Sequence, residues 1–315
     1  SQRRESFAWR IVPVGTVRIT GAADVQGDRL KWGVYAWGIG LSCWRIDGGT
    51  IIGDPQAEAS WRELDQVLDR GYADTWGRRW RIDAFGVDTG YLSQRVYAWA
   101  RRHAAERRVY AVDGRGGWKL PPLLRPRRVT VNLVGRAVGK VLLWPVGTWD
   151  LKSELYAALR RTIEGPDADG RWPPGAMHFS EACDEEFFRE LTAEHLTVRE
   201  RAGGLVERIW IKDRTTPNEE HDIQVYSRAL VHHLTDAWTP EEWVKEAARL
   251  GQPPEAAQRD LLHWIQPAPS APTEGAAPAA PPSTTTATQP AESPRAVNEP
   301  RRFFRRGTGH SSLMN

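Results

Sequence analysis

Two cysteines in 315 residues exclude a disulfide framework and a cysteine-rich zinc site, and Cys43 and Cys183 fit a reducing compartment. No apolar run approaches the ~20 residues that a membrane helix needs. The stretch Ser1 to Arg10 contains no apolar core of a secretory signal. No phosphate-cradling G-x-x-x-x-G-K-[ST] loop occurs. Gly135 to Lys140 comes nearest, but it has only three residues between its glycines and no Ser or Thr after the lysine, so it reads as a hairpin turn. A starting methionine is also missing, which fits a piece of a longer chain. What is present is ordinary in amount. Hydrophobic residues make up 40% and charged residues 26%, which excludes a fibrous or fully disordered chain. Sixteen tryptophans and a mean hydropathy of −0.55 suggest a polar surface over an aromatic core.

The net charge is only +3, yet it is unevenly spread. Residues 101–140 hold eleven Lys or Arg against Glu106 and Asp113. That imbalance points to a polyanionic partner, or else to a solvated arginine-rich face. The C-terminal end is different again. From Gln266 to Pro300, nine of 35 residues are Pro and nine are Ala. Such a segment buries too little apolar surface to offset its ordering entropy. It ends in the basic-aromatic run Arg301 to Arg306, which either docks on a partner or solubilises the tail. The expected organisation is a linker over 1–14, a folded domain over 15–265 and a flexible tail over 266–315.

Within the folded part, Val17 to Ala23 alternates as a strand ending at Asp24, followed by turn residues 26–29. Leu30 to Ala36 forms a second strand. A third spans 42–52, broken at Asp47-Gly48-Gly49. Trp61, Leu64 and Leu68 recur at helical spacing, with Gly71 as a C-cap. A fourth strand, 80–87, runs into Asp88, a helix follows over 93–103, and a fifth strand covers 108–112. The order β-β-β-α-β-α-β predicts an α/β fold with an RNase H-like mixed sheet flanked by helices. Beyond it, 114–128 reads as a basic loop, 129–134 with 141–146 as a β-hairpin insertion, and 152–162 as a helix. A final helix begins at Thr216-Pro217-Asn218-Glu219, which has capping-box spacing with Pro at the first helical position. Its apolar stripe is Ile223, Tyr226, Leu230 and His233. Asp222 lies at the edge of that stripe and Glu219 points the same way, whereas Glu220 and His221 point elsewhere.

In such a sheet the first and fourth strands are neighbours, so Asp24 and Asp88 come together at their ends. Asp222 from the last helix completes the cluster, with Glu219 beside it. Carboxylates this close raise one another's pKa values. Divalent cations relieve the repulsion, and hard oxygen ligands suit Mg²⁺ or Mn²⁺. Two such ions suit phosphodiester hydrolysis. Each residue alone has a plainer reading: strand-end aspartates form turns, and Glu219 could serve only the cap.

These residues resemble the nuclease domain of lambda-like (GpA-type) phage terminase large subunits. The resemblance covers roughly residues 15–235. It rests on Gly21-Ala22-Ala23-Asp24-Val25-Gln26, Ser42 to Asp47, Gly53-Asp54-Pro55, Val87-Asp88-Thr89-Gly90 with Val96-Tyr97, Pro174 to Phe179, Leu191 to Glu194, and Asn218 to Asp222. It implies a divalent-metal-dependent endonuclease that cuts concatemeric double-stranded DNA during genome packaging, in the cytoplasm of an infected bacterium and without a membrane. The acidic residues carried over are Asp24, Asp88 and Asp222, with Glu219 as a fourth. The implied partners are a terminase small subunit, the portal of the procapsid, and a packaging ATPase that this chain does not contain. Lys152 fits the family pattern and would contact phosphate, or is an ordinary helix lysine. Arg125, Arg127 and Arg128 would hold the DNA backbone. The chain departs from the family at Trp149, where an aspartate is usual beside Asp150. It departs also at Tyr91, Pro217 and Glu220-His221. Another RNase H-like nuclease of resolvase or transposase type, or a non-catalytic DNA-binding or capsid-docking module, remains open at this point.

Overall fold

The central strands of the first half are buried along almost their whole length, because the sheet there is covered on both faces. The computed structural model describes residues 4–253, except 107, 201–203 and 205. The chain divides into two units, Ser1–Gln266 and Pro267–Asn315, and every described residue lies in the first. The Pro/Ala-rich tail and Arg301 to Arg306 lie outside the described residues.

Two short strands, β1 (Arg4–Glu5) and β2 (Ile11–Val12), precede an antiparallel meander of β3 (Arg18–Val25), β4 (Arg29–Trp37) and β5 (Cys43–Ile52). The turn between β3 and β4 closes through Gln26 N–H donating to Arg29 O, 2.9 Å. β5 is not broken at Asp47-Gly48-Gly49. The irregularity is a bulge that leaves Ile46 unpaired between Arg45 and Asp47. The strand survives because Asp47 is satisfied in place by Arg10, Arg70, the Tyr72 hydroxyl and the Gly48 N–H. Gly33 and Gly48 are needed there for a different reason: a Cβ on either would run into the Arg45 guanidinium.

Helix α1 (Glu58–Asp69) buries Trp61, Leu64 and Leu68 as the spacing predicts. Gly71 is not its C-cap. The chain leaves the helix at Arg70 in an extended conformation, and Gly71 instead makes room for the Arg79 guanidinium. The expected strand over 80–87 is two strands. β6 (Tyr72–Asp74) and β7 (Arg79–Trp80) join β2 in a small separate sheet, and β8 (Ala84–Asp88) enters the main one. The break falls at Asp83, whose carboxylate accepts from Ile19 N–H at 2.7 Å.

α2 (Ser93–Arg102) leads to β9 (Val109–Arg115), and then β10 (Arg127–Leu133) and β11 (Arg136–Gly147) form the hairpin. Its turn holds Val134 and Gly135 at φ 47° and 73°, the primed geometry that matches strand twist. The basic stretch is therefore a loop only between Arg115 and Arg127. The remaining elements are α3 (Thr148–Glu164), β12 (Met177–Ser180), α4 (Glu185–Leu191), the hairpin β13 (Glu194–Glu200) and β14 (Val206–Lys212), α5 (Glu219–Leu234) and α6 (Pro240–Leu250).

The main sheet has nine strands in the order β1-β12-β5-β4-β3-β8-β9-β11-β10. β3 and β8 are parallel neighbours, as the strand-order argument expects, and β9 and β11 continue in the same sense. One face is covered by α1 and α2 over Trp61, Phe85 and Trp99, and the other by α3, α4 and α5 over Tyr35, Leu155 and Leu230. Each such fully buried large side chain contributes ~1.5–3 kcal/mol.

α5 departs most from the sequence reading. Ile223, Tyr226 and Leu230 are buried, but so are Val225, Ala229 and Val231 on other sides. The helix is wedged between β3, β4 and β8 on one side and α3 and α4 on the other. His233 is exposed and is not part of the core stripe. The capping box expected at Thr216 does not form. The helix starts at Glu219 after Asn218, with no side-chain cap. The box is instead at α6, where Thr239 and Glu242 cap reciprocally with Pro240 at the helix start.

Candidate acidic site

β3 and β8 pair through Ala23 and Val87, which sets Asp24 and Asp88 level at adjacent strand ends. Both strands turn these side chains to the face that carries α5. Asp24 is buried and accepts a hydrogen bond from Gln26 Nε2 at 2.7 Å. Asp88 accepts from the Tyr226 hydroxyl at 2.8 Å and from Gly90 N–H at 2.9 Å. Asp222 is half-buried and accepts from Asn218 Nδ2 at 2.9 Å. Glu219, three residues before Asp222, is bridged by Arg29 at 2.5 and 3.2 Å.

The electrostatics tie these residues together. Burial drives the Asp24 carboxyl well above the usual carboxylate range, and the charges of Asp222, Asp88 and Glu219 push it further, against the Gln26 hydrogen bond. Asp88 is raised by burial, opposed by its bonds to Tyr226, Gly90 and Thr89. Asp222 is pushed up to about 7 by burial, with Glu194 and Asp88 raising it and Lys152 and Lys212 holding it down. Thus three of the four carboxylates resist ionisation, and Asp24 feels the charge of all the others.

Two further residues join the site. Lys152 is not on the surface. Its ammonium is buried against Glu194 Oε2 at 2.5 Å. Glu194 Oε1 in turn accepts from Asn218 Nδ2 at 3.0 Å, so one amide bridges Glu194 and Asp222. Burial works against the Glu194 charge, but Lys152 and His221 hold its pKa below the ordinary value. The Leu191 to Glu194 motif carried this residue in the sequence without a role for it, and Tyr226 was legible only as an apolar stripe position.

Glu220 and His221 do not point away from the core. Both are buried. Glu220 forms a bidentate ion pair with buried Arg45, with the longer contact at 3.2 Å. Lys31 clamps Glu190 at 2.7 and 2.8 Å beside them. His221 bonds the Leu191 carbonyl at 2.9 Å, and burial pulls its pKa to about 4. Asp150 accepts from Lys119 N–H at 2.6 Å, and Trp149 packs against Trp118.

Arg125, Arg127 and Arg128 are exposed. Arg127 and Arg128 lie on β10 rather than in a loop. Arg127 is level with Leu143, Ala111 and Val87 across the sheet. At ~4.8 Å per strand it lies roughly 14 Å to the side of the β8 end.

Oxygen donors bunched with unfavourable charge suit a hard divalent cation, and the donor set here is all carboxylate. Among the described residues, however, no three His, Cys, Asp or Glu side chains form a ready metal-holding group. The residues fit such an ion in chemistry and charge, while their oxygens are not drawn in around a common point.

Residues 1–243 match the family described as terminase large subunit gpA, endonuclease domain. Among curated proteins, the chain is 27% identical over 242 residues to the terminase large subunit of Escherichia phage lambda, which covers 76% of this chain and 35% of that one. It is 26% identical to the terminase large subunit of Enterobacteria phage P21 over 72% of this chain and 34% of that one. The chain thus spans about a third of the length of these relatives. No solved structure matches it.

Proposed function

Because the chain belongs to the family of gpA terminase large-subunit endonuclease domains, we propose that it cuts double-stranded DNA by metal-dependent phosphodiester hydrolysis. The fold reading that goes with this is RNase H-like. It is supported by the central order β5-β4-β3-β8-β9, antiparallel through the meander and parallel after it. Asp24, Asp88 and Asp222 would hold Mg²⁺ or Mn²⁺, two ions in the full arrangement, with Glu219 as a fourth carboxylate. Bound there, the cation would polarise a water and neutralise charge on the scissile phosphate.

The chain's own residues set the conditions. Tyr226 fixes the Asp88 carboxylate through its hydroxyl, leaving the second oxygen on the Gly90 side. Asn218 orients Asp222, and Gln26 orients Asp24. Lys152 neutralises Glu194 and so limits the negative charge that DNA meets on approach. Arg125, Arg127 and Arg128 supply exposed cations at the same end of the sheet, which would position the phosphate backbone without reading sequence. A packaging partnership with a small subunit and a procapsid portal, in the cytoplasm of an infected bacterium, completes this reading.

One observation carries the proposal: Asp24 is buried, its charge is opposed by three neighbouring carboxylates, and it makes no ion pair among the described residues. A DNA-binding module without catalysis gains nothing from such a cluster, which repels phosphate. The test is plasmid nicking in Mn²⁺ against EDTA. Nicking that needs Mn²⁺ and is lost in Asp24→Asn and Asp88→Asn supports the assignment. Wild-type nicking by Asp24→Asn overturns it.

A further inference from the structure

The β10–β11 hairpin runs past the start of β9. Pairing between β11 and β9 begins only at Leu143 with Ala111, so residues 136–142 of β11 extend beyond it. The step leaves a groove of about 600 Å³, walled by Ala100 and Ala104 at the end of α2. Its floor is aromatic. Tyr110 and Trp144 rings lie 5.3 Å apart, and His233 sits 5.3 Å from Trp144 and 5.7 Å from Tyr110. Arg128 and Lys140 stand on its rim, and among the described residues no acidic one lines it.

These two cations differ from their neighbours. Arg95 and Arg102 are tied to Glu58, and Arg108 to Asp69 and Glu106. Arg128 and Lys140 are exposed and make no ion pair among the described residues. The Arg101 guanidinium lies against Gly139 and adds a third positive charge nearby. Trp144 pairs across to Val112, and Val112 to Asp88, so the ring stands on the same sheet face as the acidic site. The Trp144 and Asp88 backbones are two strand spacings apart, about 10 Å, and His233 lies eleven residues along α5 from Asp222, about 16 Å.

We propose that this groove takes an unpaired stretch of DNA strand, its bases stacked on Trp144 and His233 and its phosphates on Arg128 and Lys140. The inference rests on the DNA-cutting reading and adds to it a site for strand that has left the duplex. Aromatic faces can stack only on bases whose own faces are open, and in duplex those faces are covered. Stacking rings beside a cationic rim are the combination that single strands select. The groove is also far too small for a duplex.

The test is fluorescence anisotropy with a labelled twelve-residue oligothymidylate and a labelled twelve-base-pair duplex, on wild type, Lys140→Glu and His233→Ala. Both substituted residues are exposed, so the fold is not at stake. Lys140→Glu should weaken oligothymidylate binding by about tenfold or more, and His233→Ala by several-fold, each base stack being a substantial share of such affinity. Duplex affinity should change less than about threefold, the scale of one lost phosphate contact offset by others. Unchanged oligothymidylate binding in both variants, or an equal loss for both ligands, overturns the proposal. Plasmid nicking by the wild type is measured beside it. Nicking with no variant effect on oligothymidylate counts against the groove alone. The predicted variant effects without nicking uphold the groove and count against the endonuclease reading.

Discussion

Two groups of carboxylates sit side by side at the start of α5, and they are treated oppositely. Glu190 and Glu220 are matched by Lys31 and Arg45, buried and bidentate. Asp24, Asp88 and Asp222 receive only neutral donors: an amide from Gln26, a phenol and a backbone N–H at Asp88, and an amide from Asn218. Asp24 is as buried as Glu190 and Glu220, and Asp88 and Asp222 are half-buried, so the sharpest difference between the groups lies in charge. The first group is closed and holds the helix in place. The second has no bonded basic partner among the described residues. Position within one helical turn decides the role, since Glu220 and Asp222 are only two residues apart.

The largest expected effect separates the two groups by activity. Asp24→Asn should cost nicking on the order of a thousandfold or more, the scale of losing a group that acts at the transition state, while thermal stability stays level or rises. A parallel loss of stability in melting curves would move Asp24 into the structural group. Next comes Glu220→Ala, which leaves Arg45 buried and unpaired. It should destabilise by about 3–5 kcal/mol in urea unfolding, and a near-neutral result would break the contrast from the other side.

Replacing Arg125, Arg127 and Arg128 together with Ala should reduce the slope of log affinity against log salt by up to about 3, at ~0.9 per phosphate contact. An unchanged slope would mean that these exposed arginines only solvate the hairpin. A smaller effect concerns pH. Asp222 has its folded-state pKa raised to about 7, so ionising it costs stability as pH rises from the unfolded value toward 7. Asp222→Asn avoids that cost. In EDTA the variant should therefore be more stable than wild type at pH 8, by about 2–3 kcal/mol more than at pH 5. Equal stability differences at the two pH values would show that Asp222 ionises freely.

Much of this was legible in the sequence. Helical spacing located α1 and α2 because each has one clearly buried face, and period-2 patterning located β9, the hairpin, and β3 and β4, although those two strands are buried on both faces. Asp24 and Asp88 followed from strand order alone. α5 was misjudged because a stripe argument assumes a single buried face, and this helix is covered on several. Hence Glu220 and His221 were assigned to the outside. Arg45 and Glu220 lie 175 positions apart, and no local pattern announces such a pair. The capping signature occurs twice, at Thr216 and at Thr239. It failed at the first because Asn218 is the residue before the helix, and its amide is drawn to Glu194 and Asp222. Lys152 reads from the sequence as a phosphate contact or an ordinary helix lysine, because helix spacing does not reveal the Glu194 carboxylate that it meets.

The central claim is that the open group of carboxylates, unlike the closed one, takes a divalent cation. Mn²⁺ binding followed by electron paramagnetic resonance on folded protein tests it directly. The wild type should deplete free Mn²⁺ from solution, and Asp24→Asn should lose at least about tenfold in that affinity, as expected for removing one anionic ligand. Asp24→Asn that binds Mn²⁺ as tightly as the wild type would contradict the account.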